Sequence, residues 1–240
     1  MKFIRFGVEG ILNSFRVPFF RTYHKTFFAP PKSTIIGMLC NISLKSQKEF
    51  FEILNKESID VSVVINSISG KAKELWSYKT LKKVNMGKSV VRRDKLFLPI
   101  YTIYLRIQDD ALFKNTLEFL TNPKNIPSLG LDDELITIKN ITALNSEIFV
   151  QNNTNRVNSV FLDKNIKYKV HMAKYDKFLK LPTPNLVPTK FTAFDSEGNR
   201  ISKEAKEEFL QVEYINCEVE FLENIESFRD MELGNRVIFY

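Results

Sequence analysis

The apolar positions of this chain fall into short runs whose period changes along its length. Residues Lys2 to Val8 alternate loosely and predict a first strand, followed by an aromatic and basic loop from Leu12 to Phe28. After Pro30-Pro31, Ile35, Ile36, Met38, Leu39 and Ile42 take the i, i+1, i+3, i+4, i+7 spacing of one helix face. Ser46 and Glu49 form a capping-box pattern for a second helical piece bearing Phe50, Phe51 and Leu54. Val61 to Ile68 is β-branched and predicts a strand, and Leu96 to Ile107 a stronger one. A helix then starts at Asp109-Asp110, where negative charge suits the N-terminal dipole. It buries Leu112, Phe113, Leu117 and Leu120 and stops at Pro123, and Leu135 to Ile141 predicts a fourth strand.

The resulting order, β-α-β-β-α-β, is the split βαβ unit of α+β ferredoxin-like (RRM-like) folds. Residues 1–150 are expected to form this domain. The polar, Asn-rich stretch Gln151 to Ser159 is the expected boundary to a smaller β-rich C-terminal region, 151–240. Within that region Lys167 to Met172, Ile215 to Phe221 and Val237 to Tyr240 predict strands, and Leu181 to Pro188 a proline-rich connection.

Charge changes the picture. Between Lys71 and Lys95 nine basic residues stand against Glu74 and Asp94, a balance of +7 that equals the net charge of the whole chain. The remaining residues are neutral in sum, so the basicity is a local device of the kind a polyanion contact needs. It falls between the second and third strands, antiparallel neighbours in this topology, so the segment 71–95 is expected to project as a hairpin or arm with Asn85-Met86-Gly87 near its tip. The composition has enough apolar content for a large core, no apolar run long enough to cross a bilayer and no secretory leader pattern, so a cytoplasmic protein is expected. Cys40 and Cys217 are expected as reduced thiols. His24 and His171 lack partners at ligand spacing, so neither metal nor cofactor is expected.

Single-stranded RNA asks for cations at the phosphates and flat groups at the bases. Lys82, Lys83, Lys88, Arg92 and Arg93 supply the first, with Trp76 and Tyr78 interleaved. Arg92 and Arg93, adjacent on a strand, are expected on opposite faces, so that one of them faces RNA. Arg21, Tyr23, His24 and Lys25 are the candidates in the first loop. Lys32, Ser33 and Thr34 open a helix and suit either a phosphate or plain capping by Ser33. The aromatic RNP1 sequence is absent and Tyr101 and Tyr104 fall on opposite faces, so bases are not expected to stack on the sheet. Gly37 is expected to allow close helix–sheet packing.

Several of these stretches resemble a known family. Gly10 after the opening strand, Phe15-Arg16-Val17-Pro18, Ala29-Pro30-Pro31-Lys32-Ser33-Thr34-Ile35-Ile36-Gly37-Met38-Leu39, Arg92-Arg93-Asp94-Lys95-Leu96-Phe97-Leu98-Pro99 before Tyr101-Thr102-Ile103-Tyr104, and Ser128-Leu129-Gly130 are similar to CRISPR-associated Cascade subunit five. The likeness spans the first 150 residues or so and is nearest the type I-B form. It implies a non-catalytic RAMP protein that holds the 5′ handle of the crRNA and caps the Cascade backbone, with segment 71–95 as the thumb. The implied partners are crRNA, the backbone subunit and the large subunit, with contact to target DNA near the protospacer-adjacent motif left open, and no membrane. Leu131 departs from the Arg that relatives often carry after Gly130, so no charged contact is expected there. Two alternatives remain: a metal-independent endoribonuclease of the type I-C kind, using Tyr23, His24, Lys25 or His171, and a basic protein-interaction module with no preference for RNA.

Overall fold

The structure is a computed structural model that describes residues 1–18, 20, 23–81, 86–158, 160–163, 167–170, 183–191, 207–214 and 219–240. Arg21, Lys82, Lys83, His171 and Cys217 lie outside the described residues. The elements are β1 (Lys2–Gly10), β2 (Leu12–Asn13), β3 (Tyr23–His24), α1 (Lys32–Ile42), α2 (Gln47–Asn55), β4 (Ile59–Leu81), β5 (Met86–Ile107), α3 (Asp110–Thr121), β6 (Ile136–Leu144), β7 (Phe149–Val157), β8 (Phe161–Asp163), β9 (Tyr168–Val170), β10 (Thr183–Phe191), β11 (Glu207–Tyr214), β12 (Val219–Asp230) and β13 (Arg236–Val237).

The first sheet runs β6-β1-β5-β4 with every neighbour antiparallel. Strand β5 uses one edge for β4 along its whole length. Its other edge takes β1 near Ile107, then β2 at Phe97 and β3 at Arg92 and Arg93. The period of two in β1 and β5 sorts their side chains. Ile4, Phe6, Val8, Tyr101, Ile103, Leu105 and Ile107 are buried with Ile35, Met38, Leu39, Ile42 and Leu120 of the helices. On the opposite face Phe3 and Tyr104 meet Phe149, Phe228 and Val237 of the C-terminal strands. Phe149 stacks on Tyr104 at 5.6 Å and on Phe228 at 5.2 Å. Tyr101 and Tyr104 therefore lie on opposite faces and both are buried, so neither offers a base a place to stack.

The helices start where local chemistry satisfies their first N–H groups. Ser46 and Glu49 make the expected capping box of α2, and Asp109 caps α3 by accepting from the Leu112 N–H at 2.6 Å. Helix α1 differs: Pro31 is its N-cap and no side chain caps it, so Ser33 sits inside the helix. A Cβ on Gly37 would lie at ordinary contact distance, 3.9 Å, from the Phe50 ring of α2 and within 4 Å of no sheet atom, so the expected close helix–sheet packing does not require this glycine.

The C-terminal strands depart further from expectation. Gln151 to Val157 lies in β7, antiparallel to β12, so the expected boundary is a strand. From Thr183 on, the proline-rich stretch is β10, at the end of a β10-β11-β8 sheet, and its first two residues lie outside the described residues. Val160, Phe161, Val187 and Val212 pack into the same cluster as the helices.

A buried ion pair ties the two halves. Arg5 Nη1 donates to both oxygens of Asp230 at 3.0 and 2.8 Å, and the Tyr104 hydroxyl donates to Asp230 at 2.8 Å. The Asp230 side chain is 0% exposed and that of Arg5 8%. Burial alone would raise the Asp230 carboxyl, but the hydrogen bonds from Arg5, Tyr104 and the Leu233 N–H hold it below the ordinary aspartate value. Among the described residues no helix is long and apolar enough to cross a membrane, and no cluster of His, Cys, Asp or Glu is arranged to hold a metal.

Candidate nucleic-acid interface

Strands β4 and β5 continue past the body of the sheet as a two-stranded ribbon, paired from Gly70↔Phe97 to Leu81↔Met86. Residues directly opposite in an antiparallel pair share a face. One face of the ribbon therefore carries the rows Lys73/Asp94, Leu75/Arg92, Ser77/Val90 and Lys79/Lys88. The other carries Glu74/Arg93, Trp76/Val91 and Tyr78/Ser89. Strand β3 lies beside β5 in parallel, adding Tyr23 to the row of Arg92 and His24 to the row of Arg93.

The two faces differ in chemistry. On the first, Lys73, Lys79, Lys88 and Arg92 are exposed, and none of them makes an ion pair with a described residue. The Arg92 guanidinium lies 4.6 Å from the centroid of the Tyr23 ring, whose hydroxyl donates to Asp94 at 2.9 Å. On the second face the cations are neutralised. Arg93 is 5% exposed and donates twice to Glu74, at 3.1 and 2.7 Å, while Lys95 sits 3.4 Å from both Glu74 and Glu134. Adjacent arginines thus point apart, as expected, and Arg92 is the one left open. Arg93, expected as a contact, is spent internally. Lys71 covers the Phe28 ring at 3.8 Å.

At the root of the ribbon the second face closes a cleft of about 360 Å³ with the loop after β2, the start of α1 and Gly130-Leu131. Arg16, His24, Lys25, Trp76 and Arg93 line it. Burial first, then the charges of Arg16 and Arg93, hold the His24 imidazole below its ordinary pKa, so it is neutral at pH 7. An anion entering beside it, where Lys25 and Asp94 are the other charged neighbours, would raise that pKa and bind a proton. Anion affinity should therefore strengthen as pH falls toward 6, by at most about tenfold per unit for one linked proton. Titration of RNA binding against pH checks this, and His24→Gln should flatten the profile.

Tyr23, His24, Lys25, Trp76, Arg92 and Arg93 are thus brought together, and Lys88 stands farther out on the ribbon. Lys32 is not with them. It is 7% exposed, with its ammonium 3.2 Å from Asp60 and 3.4 Å from the Tyr240 carbonyl, because the first turn of α1 faces β4. The register also places Tyr23 and His24 on opposite faces, so these neighbours do not converge on one bond.

Glu134 was not evident from sequence. Its side chain is 0% exposed and accepts from the Ser14 N–H and Ser14 hydroxyl, both at 2.6 Å, and from the Leu131 N–H at 3.1 Å. It pins the wall of the cleft. Gly130 makes room for it, with φ +114° and a phantom Cβ only 2.5 Å from the Ser14 carbonyl. The nearest sequence signal is that glycine.

Residues 3–109 match the family model for CRISPR-associated protein (Cas_Cas5). No curated protein sequence matches the chain. Among solved structures, a chain described as "CRISPR RNA-guided surveillance complex" superimposes with TM-score 0.55 at 11% identity, over 92% of this chain and 91% of its own. A CRISPR protein from Archaeoglobus fulgidus gives TM-score 0.52 at 13% identity, over 99% and 98%. At such identities the likeness is one of fold, a mixed α+β architecture built mostly of sheet. From the first strand to the end of β5, within residues 3–109, the chain is similar to the CRISPR-associated Cas5 family.

Proposed function

We propose that this protein is a non-catalytic guide-RNA-binding subunit of a type I CRISPR Cascade surveillance complex, holding the 5′ handle of the crRNA and capping the backbone filament. The observation that carries the reading is the exposed ribbon face, where Lys73, Lys79, Lys88 and Arg92 share one side and make no ion pair with a described residue. The ribbon is then the thumb of a ferredoxin-like RAMP domain, with the backbone and large subunits as neighbours. The family match and the likeness in fold to a chain of an RNA-guided surveillance complex support the same assignment. The opposed directions of Tyr23 and His24 favour holding over cutting.

The test uses handle-containing repeat RNA in chelator, with binding measured across salt concentrations for the wild type and for a variant with Lys73, Lys79, Lys88 and Arg92 all changed to Ala. Each lost phosphate contact should lower the log–log salt slope by roughly 0.7. An unchanged slope overturns the role of the ribbon. Specific cleavage in chelator would install the endoribonuclease reading instead, and equal affinity for polyglutamate would install the protein-interaction module.

A further inference from the structure

Trp76 is the only tryptophan of the chain, and its row lies between those of an arginine and a tyrosine. Successive rows on the second ribbon face set Arg93, Trp76 and Tyr78 in a line. The Arg93 guanidinium lies 4.6 Å from the indole centroid. The Tyr78 ring stacks on the indole at 5.7 Å with an interplanar angle of 29°. The foot of this column is fixed, because Arg93 is buried and held by Glu74. Its outer end is not. Tyr78 is 39% exposed, and among the described residues no further ring or cation lies against it. The next row toward the tip pairs Thr80 with Gly87.

Resting on the RNA-binding reading above, we infer that Tyr78 is the stacking site for one unpaired base of the bound strand, which extends the column Arg93–Trp76–Tyr78 by a fourth flat group. The ligand class is single-stranded nucleic acid, taken with tolerance for sequence, since every base has a π face to offer. Prior stacking matters to the energetics. Trp76 and Tyr78 are already ordered against each other, so little side-chain freedom is left to lose when the base arrives. Lys79 and Lys88 form the adjoining row on the opposite face of the ribbon, and their long stems can carry ammonium groups around its edge to the flanking phosphates. Trp76, stacked on Tyr78, reports on the base.

The test is a cycle between protein and RNA. Handle RNA and versions with a single abasic position are titrated against wild type, Tyr78→Leu and Tyr78→Phe, reading affinity together with Trp76 fluorescence. Wild type should bind with a change in Trp76 emission. Tyr78→Leu should weaken binding roughly 5- to 150-fold, the range of one base–aromatic stack. Tyr78→Phe should keep most of the affinity. One abasic position should reproduce the loss in wild type and add nothing in Tyr78→Leu. Binding by Tyr78→Leu at wild-type strength overturns the inference while leaving the RNA-binding reading intact. So does a Tyr78→Phe variant as weak as the leucine, which would make the hydroxyl the contact. Absence of RNA binding by wild type itself removes the reading on which the site rests. Far-ultraviolet circular dichroism checks the fold of each variant.

Discussion

Asp230→Ala is expected to lower the unfolding free energy by about 3–5 kcal/mol, the cost of leaving a buried charge without its partner. The Arg5 side chain is 8% exposed, and its remaining carboxylate, Glu232, is 49% exposed at 2.6 Å, so water screens what is left. The Tyr104 hydroxyl and two backbone N–H groups of the turn, from Glu232 and Leu233, lose their acceptor as well. Denaturant midpoints at unchanged m-value measure the loss. The double change Arg5→Met with Asp230→Leu should recover much of it, because apolar groups can replace a buried pair with little penalty. A single variant within 1 kcal/mol of wild type would show that the seam is held by its aromatic cluster alone.

The same pair sets an acid dependence whose sign follows from the lowered pKa. A carboxyl held below its unfolded value contributes stability above that value, near pH 4, and loses it as pH falls through the folded one. Wild type should therefore lose stability in that window faster than Asp230→Ala, and the two curves should draw together in acid.

The elements legible in sequence are those with a local signature. Ile35, Met38, Leu39 and Ile42 show the period of α1 where it meets the sheet, Ile36 and Cys40 pack on α2 and β10, and the capping box of α2 needs only residues three apart. The ribbon gave its charge but not its strands. Neither of its faces packs on a core between Lys73 and Lys79, so nothing enforces alternation there. Register, moreover, depends on where the turn is placed. A turn centred on Asn85-Met86-Gly87 would set Glu74 opposite Leu98; the register that pairs Leu81 with Met86 sets it opposite Arg93. That shift decides which arginine is neutralised. Contacts such as Arg5 with Asp230, 225 residues away, have no local signature at all, and the only hint is a charge breaking the apolar run Phe3-Ile4-Arg5-Phe6. In β7 and β10, Asn-rich and Pro-containing segments form strands through pairing with β12 and β11, distant partners that composition cannot show.

Glu134→Ala is the second large loss expected, again about 3–5 kcal/mol, and it should reach the binding surface as well as the fold. Removing this carboxylate leaves the Ser14 and Leu131 N–H groups without an acceptor and strips the 7% exposed Lys95 of one of its two partners. Ser14 and Gly130-Leu131 are walls of the cleft, so the loop they form should relax away from His24 and Arg93. Glu134→Gln keeps an oxygen for Ser14 but loses the charge facing Lys95, and its cost should fall between the alanine variant and wild type. Denaturant titration ranks the three proteins. RNA affinity of the folded alanine variant, measured well below its midpoint, then separates the two effects. If that variant is as stable as wild type, the corner of Ser14, Gly130 and Glu134 is not what holds the cleft. If it is destabilised yet binds RNA with undiminished strength, the cleft is dispensable and the cationic ribbon face alone grips the strand.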